Sequence, residues 1–385
     1  GVDVTMTGGV AVLDTVTQTM YPDATRRVSN VLPNVCPSPR AVWRSSTTGD
    51  QSLVFVMPQR DRLALAGIYL DGLVGVGSVD VTCGLASTTV SLTTTIRYRA
   101  LGGNTVVPST TGSVTERAFV FADELKGWRF KDAAGTVRTV VGNSEGSLTY
   151  GASIAEHRAT IYLDDTTDAA TNSTGTLYPA RALLLGFFDG TGSDDVTGVT
   201  VSIPSASNTG AGTYREIGVC AAGRVHVFGE SPDLGDTLSM DSAANVQTMS
   251  DGQRYAARRQ ADRRSAEIAF MDSPHAASAM FGTATSPDYV VVTTGARSAA
   301  ARNGIPLVVE GIIRRAANTS NGLCVWIPKI PRQSSAGWVA QTFNLDATIY
   351  GRITSAYRRE AVATVGQRSV SQVFRVGAIR FEEEL

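Results

Sequence analysis

The chain has 385 residues, of which 43% are hydrophobic and 18% are charged, and its formal net charge at pH 7 is −1. This composition argues against a disordered chain and gives no overall electrostatic attraction to nucleic acid or to an anionic membrane. The length predicts two or three domains at about 150 residues each. Since no run of about 18 apolar residues occurs, we expect no transmembrane helix. Residues 1–4 show neither the basic segment nor the apolar segment of a signal peptide, and removal of a leader remains an open alternative.

The first part of the chain contains short stretches in which apolar and β-branched residues alternate with polar ones. Such stretches predict β-strands, and they occur at residues 10–13, 52–56, 79–83, 95–99, 159–163 and 199–203. Breaks rich in Gly, Asn, Asp and Thr separate them at residues 102–104, 142–146, 166–175 and 205–212. Closely spaced strands without helix patterns between them predict a mostly β protein built of sandwiches or barrels.

The second part of the chain continues this pattern after one segment of different character. Residues 251–271 carry four arginines, Arg258, Arg259, Arg263 and Arg264, and end in an alternating stretch that predicts a strand. The sequence Asp-Ser-Pro-His at 272–275 then predicts the start of a short helix, which Gly282 ends. Further strands are predicted at residues 289–292, 306–310, 322–327, 338–350 and 370–381.

The basic residues are almost all arginine, since only three of the 34 are lysine. Arginine suits partly buried polar interfaces, because its guanidinium is planar and weakly hydrated. Arg258, Arg259, Arg263 and Arg264 could bind phosphate, but the chain has no basic excess overall. A subunit interface or an intramolecular ion-pair network is the favoured interpretation. Replacing Arg263 and Arg264 with alanine is expected to impair assembly and to leave the monomer folded.

Residues of catalytic type are sparse. Residues 142–146 match the pattern G-x-S-x-G, but no helix is predicted after them, so a hairpin turn is favoured over a nucleophile elbow. The three histidines, His157, His226 and His275, show no metal-binding spacing. We therefore expect no enzymatic activity, no metal site and no cofactor.

The four cysteines, Cys36, Cys83, Cys220 and Cys324, are too far apart in sequence for a C-x2-C metal site. The favoured interpretation is four buried thiols in a reducing compartment.

Aromatic side chains are candidates for stacking on sugar rings. Trp128, Phe130 and Trp338 are the candidates for a sugar contact, with Trp43 also considered. Most tryptophans of β-sandwiches belong to the core, so a core position is the favoured interpretation for each of them.

Residues 58–70, followed by Gly-Ser-Val-Asp-Val at 77–81, resemble a conserved stretch of galactose-binding-like jelly-roll domains in bacteriophage tail proteins. Tyr69 stands where those domains often carry asparagine. Residues 178–185 and 213–224 are similar to two later strands of the same domains. The resemblance implies a jelly-roll domain over residues 1–223, with an insertion near residues 102–151, which have no counterpart.

Residues 251–271 with their arginine run, then 304–308, 349–353 and 373–385, resemble siphophage tail-tip proteins of the distal tail type in this order. The resemblance implies a second β domain over residues 224–385, with a short helix at residues 275–281.

A tail protein of this kind is a structural component of the virion. The resemblance implies that copies of the chain form a ring, with a hexamer favoured over a trimer, between the tail tube and the hub proteins. It also implies assembly in the bacterial host cytoplasm and contact with DNA only as passing cargo. The alternative is a receptor- or polysaccharide-binding tail protein that contacts a host surface glycan through the jelly-roll domain.

Overall fold

The structure is a computed structural model of the chain, and the residues it describes are strands, turns and bends without any helix. These residues are 3–5, 11–14, 42–44, 51–56, 65–83, 86–108, 122–145, 147–150, 155–158, 160–167, 173–187, 198–204, 214–224, 237–241, 244–248, 254–258, 263–270, 323–328, 337–343, 345, 348–354, 359–365 and 371–384. Within them, no helix is long and apolar enough to cross a membrane.

The strands of the first half are β1 (Asp3–Thr5), β2 (Ala11–Asp14), β3 (Trp43–Arg44), β4 (Gln51–Val56), β5 (Leu65–Asp71), β6 (Ser78–Cys83), β7 (Ala86–Ser91), β8 (Thr94–Gly102), β9 (Thr105–Pro108), β10 (Arg129–Lys131), β11 (Val137–Asn143), β12 (Ser147–Tyr150), β13 (Ala155–Arg158), β14 (Ile161–Leu163), β15 (Ser173–Tyr178) and β16 (Arg181–Phe187). Those of the second half are β17 (Gly198–Ile203), β18 (Glu216–Ile217), β19 (Val219–Arg224), β20 (Thr237–Asp241), β21 (Ala244–Thr248), β22 (Arg254–Arg258), β23 (Arg263–Phe270), β24 (Leu323–Trp326), β25 (Gly337–Gln341), β26 (Ile349–Ile353), β27 (Arg359–Val365) and β28 (Ser371–Glu383).

A four-stranded sheet in the order β19-β5-β16-β25, here called the central sheet, is buried on both faces. Successive side chains of a strand point to opposite faces. In β16, Ala182 and Leu184 therefore belong to one hydrophobic cluster, and Leu183 and Leu185 belong to another. A strand that is covered on both faces reads as a continuous apolar run in the sequence, as β16 does.

One face of the central sheet packs against a six-stranded sheet in the order β1-β2-β4-β17-β6-β7, here called the N-terminal sheet. The buried side chains shared between the two sheets include Ile68, Leu70, Ala182, Leu184 and Cys220 from the central sheet and Val79, Val81, Val90, Val201 and Ile203 from the N-terminal sheet. Trp43 and Ile217, which pair in the small sheet of β3 and β18, complete this cluster and are fully buried.

A closed six-stranded barrel occupies the chain between β7 and β16, with its strands in the order β10-β11-β14-β9-β8-β15. Closure pairs every strand of the barrel on both sides and so removes exposed sheet edges. In β8 the side chains alternate, because Ile96 and Tyr98 point into the barrel and Arg97 and Arg99 are exposed. The interior contains Ile96, Tyr98, Val106, Leu125, Trp128, Phe130, Val140, Ile161, Leu163 and Leu177.

The second part of the chain builds a sheet in the order β20-β23-β28-β26-β24, here called the C-terminal sheet, with β27 also paired to β28. Val376 of β28 pairs with Phe270 of β23 and with Arg359 of β27, so these two strands lie on opposite sides of β28. Buried side chains of this part, including Leu323 and Tyr350, cover the second face of the central sheet.

Residues 337–343 and 345, here called the linking segment, contact all three hydrophobic clusters. Trp338 packs against the cluster between the central and N-terminal sheets, and Val339 packs against the cluster on the opposite face. Leu345 belongs to that second cluster, and Phe343 belongs to the barrel interior. The ring centroids of Phe343 and Trp128 are 5.0 Å apart. The linking segment therefore connects the packing of the barrel with that of both faces of the central sheet.

The described residues confirm the prediction of a mostly β protein with several sheets. Strands are found at the predicted positions near 10–13, 52–56, 79–83, 95–99, 161–163 and 199–203, and again at 323–326 and 371–383. The stretch predicted as strand at 338–350 contains β25 at 337–341 and the start of β26 at 349–353. The predicted helix at residues 275–281 and the predicted strands at 289–292 and 306–310 lie outside the described residues.

The predicted division into residues 1–223 and 224–385 stays a prediction, and two observations bear on how the two parts are joined. Strand β25 of the second part pairs with β16 of the first, with Trp338 opposite Gly186. The described strands within residues 102–151 include β9, β10 and β11, which share the barrel with β8, β14 and β15 on either side of that range. The barrel thus uses a continuous stretch of chain that is longer than the proposed insertion.

Candidate interaction surfaces

Three of the four arginines singled out in the sequence lie on two successive strands, β22 and β23. Arg258 is the last residue of β22, which pairs with β21 in a two-stranded sheet. Arg263 and Arg264 begin β23, which pairs with β20 on one side and β28 on the other. Arg259 lies outside the described residues. Arg258 therefore belongs to the two-stranded sheet of β21 and β22, whereas Arg263 and Arg264 belong to the C-terminal sheet.

Arg264 forms an ion pair with Glu383 inside the chain. Nε of Arg264 donates to Oε1 of Glu383 at 2.9 Å, Nη2 donates to the same oxygen, and the backbone N–H of Arg264 donates to Oε2 at 3.0 Å. Both side chains are 14% exposed. Both carboxylate oxygens are thus satisfied by one residue, and the pair ties the start of β23 to the end of β28.

The end of β28 and the residue after it form further ion pairs that the sequence analysis did not predict. Arg352 of β26 pairs with Glu384, and Nε of Arg380 lies 3.1 Å from Oε1 of Glu382. The signal was present in the three consecutive glutamates at positions 382–384. Arg380 and Glu382 are two residues apart on β28 and so share a face, whereas the partners of Arg264 and Arg352 are decided by strand register, which cannot be read from the sequence.

Tyr69 of the central sheet faces the C-terminal sheet. Its hydroxyl donates to Oδ2 of Asp71 at 2.9 Å, and its ring stacks on Tyr350 with centroids 5.8 Å apart. Burial, followed by the charge of Asp71, raises the pKa of Tyr69 well above its usual value, although Arg181 and Arg264 act in the opposite direction. Tyr69 is therefore neutral at physiological pH and serves as a hydrogen-bond donor.

The predicted sugar-contact residues lie mainly in the core. Trp128 and Phe130 are 1% and 0% exposed inside the barrel. Trp338 is partly buried, and its indole ring occupies the space where a Cβ on Gly186 would lie, at 2.8 Å. Trp43, also considered in the sequence, is fully buried. These positions agree with the interpretation of tryptophan as core, and a sugar contact by the three candidates stays a prediction.

Ser144 of the G-x-S-x-G match lies between β11 and β12. Its Oγ accepts a hydrogen bond from the backbone N–H of Thr160 at 2.9 Å. A strand and not a helix follows, as expected. The predicted hairpin turn is wrong, because β11 pairs with β14 and β12 pairs with β13, so two separate pairings flank the serine.

The other residues of catalytic type are placed as follows. Within the part of the chain that the structure describes, no group of three or more His, Cys, Asp or Glu side chains could hold a metal ion. His157 lies in β13, and His226 and His275 lie outside the described residues.

Cys220 and Cys324 are free thiols, and burial raises the pKa of Cys324 to about 12 and that of Cys220 further. Both thiols are therefore protonated and weakly reactive at neutral pH.

No protein-family model matches the chain, and no curated protein and no solved structure matches it. The expected resemblance to phage tail proteins therefore rests on the sequence motifs alone and stays a prediction.

Proposed function

We propose that this chain is a structural component of a bacteriophage tail tip or baseplate. Copies of it form or join a ring, a hexamer in preference to a trimer, that connects the tail tube to the hub and to the host-binding parts. In this proposal the chain belongs to the virion tail, is assembled in the bacterial cytoplasm, and meets DNA only as passing cargo.

The observation that carries the proposal is the order of the tail-protein motifs along the chain. Most of the described residues of these motifs lie in β-strands, among them β5, β6, β16, β19, β23, β26 and β28, which supports the proposal. Two of the motifs also meet in space, since Tyr69 from the first resemblance stacks on Tyr350 from the second.

The finer architecture belongs to the same proposal. The central and N-terminal sheets form a jelly-roll sandwich, and the cluster of buried residues shared between them supports this arrangement. The C-terminal sheet forms the core of the distal-tail-like domain.

A ring needs an interface in which two different surfaces meet, so that the rotation closes. The C-terminal sheet offers two such surfaces, because β20 and β24 are its terminal strands in the described residues and lie at opposite ends of the sheet order. Terminal strands present backbone groups that a neighbouring subunit can pair with. We place the ring contact at these two strands, of which β20 pairs with the start of β23, where Arg263 and Arg264 lie.

The test is the assembly state of the purified full chain, measured by mass photometry and by negative-stain imaging. Closed rings of six copies are expected, and rings of three would retain the proposal with the second stoichiometry. A chain that stays monomeric at every concentration and is not incorporated into tail particles when produced with its neighbouring tail proteins would refute it.

A second function, binding of a host surface glycan, is favoured by one observation. Tyr162 on the outside of the barrel is 41% exposed and is followed by the exposed carboxylates of Asp164 and Asp165. An aromatic ring with hydrogen-bonding groups beside it is suited to a sugar. Submillimolar binding on a glycan array that is lost in Tyr162→Ala, together with a monomeric chain, would promote this function over the first.

A further inference from the structure

Two strands of the barrel carry basic side chains on its outer surface. Arg97 and Arg99 of β8 are exposed, and Arg129 and Lys131 of β10 are partly buried. Strand β15 pairs with both of these strands, so β8, β15 and β10 are consecutive in the closed order of the barrel. The outer surface of these three strands, here called the basic wall, is a candidate site for an anionic partner.

The strand register places the four basic residues along a diagonal of the basic wall. Arg97 and Lys131 pair with residues of β15 that are two positions apart. Arg99 lies further along β8 in one direction, and Arg129 lies further along β10 in the other. Residues two apart on a strand are separated by about 7 Å, and β8 and β10 by roughly 10 Å, so the diagonal is about 20 Å long.

The three strands of the basic wall contain no residue of opposite charge. Their sequences are Thr-Thr-Ile-Arg-Tyr-Arg-Ala-Leu-Gly, Ser-Thr-Gly-Thr-Leu-Tyr and Arg-Phe-Lys, without Asp or Glu. Asp132 follows β10 directly, but it is 5% exposed and forms an ion pair with Arg138, which is 8% exposed. The charge of this carboxylate is therefore balanced by a buried partner within the chain.

Exposed carboxylates of the barrel lie on its other side. The carboxylate of Asp123 occupies the space where a Cβ on Gly142 of β11 would lie, and Glu145 follows the end of β11. Oδ1 of Asp164 accepts a hydrogen bond from the backbone N–H of Thr139, also in β11, at 2.8 Å. In the closed order of six strands, β11 is directly opposite β8. The described residues thus give the basic wall a positive potential, although the whole chain has a net charge of −1.

The surface between the basic residues is polar. It carries Thr95, Thr174 and Thr176, whereas the exposed apolar residue of β8, Leu101, lies at the end of that strand beside a β-bulge. A protein interface usually has an apolar and aromatic centre, and single-stranded nucleic acid stacks its bases on aromatic rings. Among the described side chains of the barrel, the exposed aromatic one is Tyr162 on β14, which is opposite β15. A hydrated polymer with anionic groups therefore fits this surface better than either.

We propose that the basic wall binds an acidic polysaccharide. The basic side chains pair with carboxylates along the polymer, and the threonine hydroxyls exchange hydrogen bonds with the sugar hydroxyls between them. Arginine suits this role, because its planar guanidinium can donate two parallel hydrogen bonds to one carboxylate. The inference goes beyond the tail-tip proposal and does not depend on it, and its site lies on the side of the barrel away from Tyr162.

The exposure of the basic wall sets the expected strength of binding. Exposed charge pairs are individually weak, so several of them must act together along the polymer. They are also screened by salt, since the Debye length falls from about 30 Å at 0.01 M to about 8 Å at 0.15 M ionic strength. The binding is therefore expected to be strongest at low salt and to weaken steadily as salt is added.

The experiment is biolayer interferometry of the full chain on immobilised polygalacturonate at low and moderate salt, with uncharged dextran as the neutral polymer and circular dichroism as the check on folding. The wild type is expected to bind polygalacturonate and not dextran. Arg99→Ala should weaken the binding about threefold and Arg99→Glu about tenfold. Arg380→Glu makes the same charge change at an exposed arginine of the C-terminal sheet and should have no effect, and Tyr162→Ala should also bind normally.

A wild-type chain that does not bind polygalacturonate, or that binds dextran equally well, would overturn the proposal. So would binding that Arg99→Glu leaves unchanged, or binding that is lost in Tyr162→Ala and kept in Arg99→Glu. A preference for a single-stranded oligonucleotide over polygalacturonate would overturn the choice of polymer. Mass photometry of the same samples tests the ring separately, and rings without polymer binding would remove this inference and leave the tail-tip proposal standing.

Discussion

Arg264 and Arg380 provide a matched pair of arginines in the C-terminal sheet. Arg264 holds both oxygens of Glu383 where the two side chains are 14% exposed, whereas Arg380 meets Glu382 at an exposed position. Removing the partner of a mostly buried carboxylate costs more than removing that of an exposed one, because the charge left behind is poorly hydrated.

Arg264→Ala is therefore expected to lower the free energy of unfolding by about 1–3 kcal/mol, and Arg380→Ala by less than about 1 kcal/mol. Urea denaturation of both variants measures the difference. Equal losses in the two variants would show that the Arg264 pair is no more important than an exposed one.

The buried thiols make stability depend on pH in the alkaline range. Burial raises the pKa of Cys220 above that of a thiol in the unfolded chain, about 8.5, so the folded state keeps a proton that the unfolded state releases. The stabilisation is complete below about pH 8.5 and is lost as the pH rises above it.

The free energy of unfolding should consequently fall between pH 8.5 and 10, and in Cys220→Ala the fall should be less steep by about 1.4 kcal/mol per pH unit. Urea titrations at half-unit intervals measure both slopes. Parallel slopes for the two proteins would contradict the assignment of Cys220 as a buried, protonated thiol.

Among the elements, the linking segment contributes side chains to all three hydrophobic clusters. Phe343 packs against Trp128 in the barrel cluster and is 3% exposed, while Val339 and Leu345 of the same segment contribute to the cluster on the second face of the central sheet. Loss of a buried phenyl ring removes its transfer free energy and leaves a cavity.

Phe343→Ala should cost about 3–5 kcal/mol, and Phe343→Leu, which keeps most of the volume, should cost clearly less. Thermal and urea unfolding monitored by tryptophan fluorescence tests this, because Trp128 contacts Phe343 and Trp338 belongs to the segment. If Phe343→Ala unfolds like the wild type, the segment does not join the barrel to the sheets.

For the whole molecule, the assembly prediction made from the arginine run is refined by the structure. Because Arg264 is paired within the chain, its removal would disturb folding and assembly together. The ring contact is better tested with Arg258 and Arg263, which lie at the end of β22 and the start of β23.

Arg258→Ala combined with Arg263→Ala should reduce the fraction of rings severalfold in negative-stain images and leave the melting temperature of the monomer within a few degrees. Arg97→Ala on the barrel serves as the control, with unchanged ring formation expected. Normal ring formation by the double variant would count against a role of these arginines at the subunit interface.

The sequence by itself determined that the chain is rich in β-strands and where many of the strands lie, because alternation and turn residues are local signals. What only the tertiary structure decided is which strands are neighbours. The closure of residues 94–178 into a barrel and the meeting of Arg264 with Glu383, 119 positions apart, both depend on register between distant strands. The need for glycine at position 351 also depends on this register, because a Cβ there would lie 1.9 Å from the carbonyl oxygen of Glu382 on the neighbouring strand. Such pairings are set by packing over the whole molecule, and no local pattern of residues specifies them.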